Sequence, residues 1–118
     1  MTVKESGGKV NLAMVRGDSE SITVACYEKI EGASEFVPLA AGDAVTFTMR
    51  PDVEGAVVLQ KVIEEFDDGK AVIVFAPADT GGLDFGDYVY DIQLTRADGT
   101  VTTLVEPSVF RLKEEVTY

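Results

Sequence analysis

The sequence predicts an all-β domain of about seven short strands folded as a two-sheet sandwich. Three observations carry that prediction. Tyr88, Tyr90, Ile92 and Leu94 alternate with Val89, Asp91 and Gln93, the period-two pattern of a half-buried strand. Two Asp-Gly pairs, Asp68-Gly69 and Asp98-Gly99, stand between apolar runs where tight hairpins need residues that tolerate positive φ. Helical periodicity is weak throughout, and no internal repeat or low-complexity stretch breaks the chain.

The elements follow in order. Lys9 to Val15 is the first run, with Val10, Leu12 and Met14 able to share a face, and Arg16-Gly17-Asp18 turns the chain. Glu20 to Glu28 is the second, with Ile22, Val24 and Cys26 inward. Lys29 to Ala41, small and polar with Gly32 and Pro38, reads as a loop holding at most a short strand near Phe36 to Leu39. In Ala44 to Arg50, Val45, Phe47 and Met49 oppose Thr46 and Thr48 until Pro51 stops the run. Val57 to Phe66 is read as a strand because Val57, Val58, Val62 and Ile63 are β-branched. Lys70 to Ala76 follows the first Asp-Gly turn, and Pro77 to Thr80 suits one turn of 3₁₀ helix. Val101 to Lys113 is the last run, and Pro107 inside it implies an edge or a bulge.

These elements fit an immunoglobulin-like Greek-key β-sandwich lacking its disulfide. A tyrosine opening a strand after Asp79-Thr80-Gly81-Gly82-Leu83 matches the tyrosine corner of such domains, with Tyr88 in the corner position. Cys26 falls where an antibody-type domain places its first cysteine, and Tyr90 stands where the second would be. There is no tryptophan, and Phe47 takes the central place of its strand. Cys26, Phe47, Tyr88 and Tyr90 are therefore assigned structural roles.

With 118 residues the chain is expected to form one domain spanning residues 1–118, with residues 1–8 as a flexible lead. A single cysteine permits no internal disulfide and suits a reducing compartment. No membrane span or signal peptide is evident, so a soluble intracellular product is expected. The net charge of −11, with the Lys and Arg residues scattered singly, argues against nucleic-acid binding and favours a basic partner. The absence of histidine removes the commonest general base, metal ligand and serine activator.

Candidate sites are few. Arg16-Gly17-Asp18 matches an adhesion tripeptide, but a strand-to-strand turn accounts for it. Asp84, Asp87 and Asp91, with Asp79, invite a calcium reading, yet their spacing matches no calcium loop and Asp91 points away from Asp84. Glu64, Glu65, Asp67 and Asp68 lie at a hairpin end, where charge guards against edge pairing, and do not form opposed catalytic carboxylates. Cys26 sits on an apolar face and is assigned to the core. Tyr27, Phe36, Tyr88 and Tyr118 are the aromatics available to a carbohydrate platform. No catalytic residue and no cofactor site is expected, and the chain is read as a non-enzyme.

Four segments in order resemble a family of small bacteriophage and prophage domains, above all the N-terminal immunoglobulin-like domain of phage baseplate upper proteins. They are Val15-Arg16-Gly17-Asp18-Ser19, Ala41 to Arg50, Asp68-Gly69-Lys70-Ala71 leading into Pro77-Ala78-Asp79-Thr80, and Gly86 to Leu94. The resemblance covers about residues 10 to 117. It implies a structural or docking domain of a tail or baseplate, bound to other phage structural proteins or to copies of itself. It implies residence in the bacterial host cytoplasm during assembly and then in the virion. The family carries no catalytic residues to transfer. A sandwich module that binds carbohydrate or another host-surface group is the alternative function.

Overall fold

Period-two burial governs the strands of the computed structural model, which describes residues 2–3 and 9–114. Among these residues run β1 (Thr2–Val3), β2 (Leu12–Val15), β3 (Glu20–Val24), β4 (Cys26–Ile30) and β5 (Ala33–Val37). Then come β6 (Ala44–Arg50), β7 (Leu59–Ile63), β8 (Ala71–Phe75), the short helix α1 (Pro77–Gly81), β9 (Gly86–Thr95) and β10 (Val101–Lys113). The fold is all-β.

The strands form three sheets, ordered β1-β3-β8, β2-β10-β9-β6-β7 and β4-β5. Both larger sheets are mixed: β1 runs parallel to β3 and β2 parallel to β10, while the other pairs are antiparallel. Their inner faces meet in one apolar core. Ile22, Val24, Ala71, Ile73 and Phe75 come from the three-stranded sheet, and Val45, Phe47, Met49, Tyr90, Ile92, Leu94, Phe110 and Leu112 from the five-stranded one. Four rings join across the core: Phe47 stacks on Tyr90 at 5.3 Å and meets Phe75 and Phe110 edge-on at 5.2 and 5.8 Å. Such pairs add about 0.5–1.5 kcal/mol each beyond their buried area.

The Asp-Gly turns behave as their chemistry dictates. Asp68 and Gly69 both take left-handed φ, 51° and 75°, the requirement of a type I′ hairpin. A side chain at Gly69 would also strike Pro38 Cβ at 2.9 Å, so the turn doubles as the seat of the β5 exit. The Asp98-Gly99 turn closes with Gly99 N–H on the Arg96 carbonyl and Arg96 N–H on Thr100.

The structure departs from the sequence reading in four places. The stretch read as a loop, Lys29 to Ala41, holds the end of β4 and all of β5, a hairpin paired from Cys26–Val37 to Ile30–Ala33. Its turn is made by Glu31 and Gly32, both at left-handed φ, its base is anchored by buried Cys26 and by Val37 against the core, and Tyr27 meets Phe36 at 5.7 Å. The second run breaks at Ala25, which is fully buried, so Glu20 to Glu28 divides between two sheets. The Pro77 turn is α-helical rather than 3₁₀. Finally, the strand expected over Val57 to Phe66 is confined to Leu59–Ile63. Pro107 sits where the β10–β9 register shifts between Val105 and Ser108, a bulge. The flexible lead expected over residues 1–8 falls outside the described residues except for Thr2 and Val3, which form β1.

Candidate functional site

The corner before β9 is built by short-range polar bonds. Pro77 opens α1, and the Asp79 carboxylate accepts the Ala76 N–H at 2.7 Å, the backward half of a capping box. The same carboxylate meets Lys61 Nζ at 2.8 Å, tying the helix to β7. Lys61 first, then the Ala76 N–H, holds the Asp79 pKa below its ordinary value. Thr80 is buried and its hydroxyl accepts the Gly17 N–H at 2.9 Å, fixing the β2–β3 turn against the helix. Arg16 donates to the Leu83 carbonyl and lies over the Phe85 ring, 5.0 Å from its centre. The Arg16-Gly17-Asp18 turn is thus packed against the corner.

Tyr88 donates its hydroxyl to the Asp84 carbonyl at 2.6 Å. Burial, with the nearby Asp84 carboxylate, raises the Tyr88 pKa, so the phenol remains a donor through neutral pH. Tyr88→Phe is expected to cost about 1 kcal/mol through this bond. A thermal melt should then fall by about 4 °C. An unchanged melt would mean the bond is not formed in solution. Two residues on, Tyr90 donates to the Val10 carbonyl, and Val10 N–H donates to Ser108 Oγ at 3.1 Å. Asn11 Oδ1 accepts the Val109 N–H at 3.1 Å. These bonds dock the entry of β2 against the bulged part of β10. Burial raises the Tyr90 pKa strongly.

At the far end of the core, Asp43 forms a lock that sequence reasoning missed. Its carboxylate accepts from Ala40 N–H at 3.0 Å, Ala97 N–H at 3.1 Å and Arg96 Nη1 at 3.1 Å. The Arg96 Nη2 lies 3.9 Å from the Cys26 sulfur. Gly42, at φ 95°, lets the chain slide under the Arg96–Gly99 turn: a Cβ there would lie 2.8 Å from Ala97 Cβ. The lock joins the β5–β6 turn to the β9–β10 hairpin. Gly-Asp ahead of a strand is a local signal of an Asx turn, but no local pattern marks Arg96 as its partner.

The outer face of the five-stranded sheet follows from register. Because Phe47 and Ile92 point inward, Thr48 and Asp91, paired across β6 and β9, face the other side, as does exposed Gln60 opposite Thr48, while Thr48 itself is covered there to 8% exposure. Gln60 Nε2 donates to Thr48 Oγ1 at 3.2 Å. Asp91 is half-buried between them and the β10 bulge. Burial raises its pKa, partly countered by Arg50. A dimple of about 70 Å³ opens here, lined by Thr48, Arg50, Val53, Val89, Asp91 and Pro107 among others.

The three carboxylates of the calcium reading are not brought together. Asp84 is exposed at the corner, and Asp87 is exposed and bound to Arg111 at 2.7 and 3.2 Å. Asp91 lies half-buried on the sheet face. Among the described residues no group of three or more His, Cys, Asp or Glu is placed to hold a metal ion. Millimolar calcium is therefore expected to leave the melting temperature unchanged, and a rise of several degrees would reveal a site.

Cys26 is buried at the head of β4, opposite Val37. It belongs to the same core cluster as Phe47 and Tyr90, whose ring contacts extend to Phe110 and Phe75. Of the aromatics considered for a carbohydrate platform, Tyr88 is buried, Tyr27 half-buried and Phe36 exposed, while Tyr118 lies outside the described residues. Phe85, half-exposed under Arg16, was not anticipated. Among the described residues no helix is long and apolar enough to cross a membrane. The chain matches no protein-family model and no curated protein.

Proposed function

We propose that the chain is a non-enzymatic structural domain that docks onto other proteins of a phage or prophage particle, in its tail or baseplate. The observation that carries this reading is the strand order. One sheet of β1-β3-β8 opposes another of β2-β10-β9-β6-β7, with the first strands divided between the two sheets. The Tyr88 hydroxyl bonds back to the Asp84 carbonyl before β9, a tyrosine-corner arrangement. Together these support an immunoglobulin-like Greek-key sandwich, and that sandwich is what the resemblance to baseplate domains implies.

The packing supports a docking role. The core is closed by aromatic contacts and the polar bonds bind turns to strands, so the body is a rigid carrier of surface. Rigid surfaces lose little entropy on association. Several edges remain open to partners. β7 pairs only with β6, β2 covers only Phe110–Lys113 of β10, and the bulge at Pro107 re-aims the rest of that edge. Repeated copies in a ring would suit a cyclic tail structure.

The deciding experiment is quantitative mass spectrometry of particles purified from an induced host culture. The chain is expected to co-purify with tail proteins at a fixed ratio. Absence from intact particles, combined with monomeric light scattering at high concentration, would remove the reading.

A further inference from the structure

We infer that the outer face of the five-stranded sheet is the domain's docking face, and that Asp91 at its centre receives a lysine or arginine side chain from a different protein. This rests on the docking reading above and names the surface and chemistry of the contact.

The first argument is the distribution of charge. The chain is 26% charged. Yet on β7, β6 and β9 the outward residues of the central rows are Val62, Thr46 and Gln93, then Gln60, Thr48 and Asp91. On these three strands only Asp91 carries charge there, with Arg50 one row away beside Val89, and exposed Glu106 in the β10 bulge opposite Asp91 adds a second acidic group. The neutral rows of Val62, Thr46, Gln93, Gln60 and Thr48 match the depletion of charge that sets an interface centre apart from ordinary surface, and the acidic spot beside them fits a basic group. The second argument is shape. Asp91 lines a dimple whose other walls include Val53, Val89 and Pro107. A basic side chain can lay its aliphatic stem on those walls and set its head on the carboxylate. The Pro107 bulge, opposite Asp91 in β10, opens the sheet surface at that point. Burial already favours the neutral form of Asp91 more than Arg50 opposes it, so an arriving cation has charge to compensate.

The occupant follows from electrostatics and area. Two copies carrying −11 each repel at long range, whereas a basic partner is drawn in. Five strands about 4.8 Å apart and six or seven residues long present about 500 Å². That is below the roughly 800 Å² per partner of a stable interface. A contact of that size is of the weak, transient kind, made durable by repetition in an assembly.

The test is a ¹H–¹⁵N titration of the full chain with an acetylated, amidated pentapeptide of alternating threonine and valine around a central arginine. Saturable shifts are expected at Thr48, Gln60, Val89 and Asp91. Asp91→Asn should weaken binding about tenfold, and so should replacing the peptide's arginine by glutamine. Arg50→Gln, which removes the competing cation, should tighten binding about twofold. The asparagine is isosteric with a carboxyl that burial already pushes toward neutrality, so an unchanged melt is expected to certify its fold. No saturable shift, shifts centred on the Glu64–Asp68 turn, or equal binding by Asp91→Asn would overturn the inference. Concentration-dependent shifts on this face without peptide would instead assign it to a second copy and overturn the heterologous partner. Particle incorporation separates this inference from the reading beneath it. Wild-type levels of Asp91→Asn in particles would remove the Asp91 contact and leave the docking function standing. Absence of the wild-type chain from particles would remove that function, while the titration would still decide whether Asp91 is a cation seat.

Discussion

Asp43→Ala is expected to lower the unfolding free energy by about 3 kcal/mol at pH 7, the lower end for removing one partner of a buried charged pair. The substitution leaves the Ala40 and Ala97 N–H groups and the Arg96 guanidinium without their shared acceptor. Asp43 is 6% exposed, so water replaces it poorly. The Arg96 side chain is 23% exposed and recovers part of its hydration, which keeps the loss from growing larger. Arg96→Gln should cost about half as much, because both backbone N–H bonds to Asp43 survive.

The same network fixes a dependence on pH. The Ala40 N–H, with Ala97 and Arg96 and against desolvation, holds the Asp43 carboxyl below its ordinary value of 3.8. A folded pKa below the unfolded one means the folded state binds its proton less readily. The stabilisation is therefore complete above the unfolded value and is lost as pH falls through the folded one. Asp79 is displaced in the same direction, led by Lys61. Urea melts should show the full gap between wild type and Asp43→Ala at pH 7 and a narrowed gap near pH 3. A gap of constant size would assign the loss to packing around Gly42 and Ala97 rather than to the carboxylate.

What the sequence disclosed and what it withheld divide along the range of the interactions. Val45, Phe47 and Met49 in β6, and Tyr88 through Leu94 in β9, are legible because burial on one face imposes period two on neighbouring residues. The Asp68-Gly69 turn is legible because few residues accept φ near 51° and 75° in succession. The β4–β5 hairpin is not, since its turn is carried by Glu31-Gly32 rather than by an Asp-Gly pair, and the residues between Lys29 and Ala41 show no apolar alternation. Nor is the Asp43–Arg96 lock, whose partners are 53 residues apart. The outer face is intermediate. Asp91 was legible as an outward residue, but its half-buried state depends on Arg50, Val53 and the Pro107 bulge, brought in from two other segments. Polar partnerships across the fold leave no periodic trace, whereas apolar burial along one strand does.

Phe47→Ala carries the largest expected loss, about 4 kcal/mol, within the range for emptying a fully buried phenylalanine site. Phe47 is 0% exposed and is the ring shared by contacts to Phe75, Tyr90 and Phe110. Phe75 belongs to the three-stranded sheet and the other three rings to the five-stranded one, so the deletion opens the seam between sheets. β-Strands hold their side chains at fixed spacing, and neighbouring rings cannot collapse into the gap without breaking ladder bonds. A domain of this length has about 6–15 kcal/mol in total, so the variant should remain folded at 25 °C with a melting temperature lowered by about 15 °C. Phe75→Ala alone should cost slightly less, because two of the ring contacts around Phe47 survive it. The double variant should fall short of the sum of the two, since each single deletion already removes the Phe47–Phe75 contact. Strict additivity in chemical melts would mean the two sheets are stabilised independently. Phe85→Ala serves as the control: half-exposed beneath Arg16, it should move the melt by no more than a few degrees.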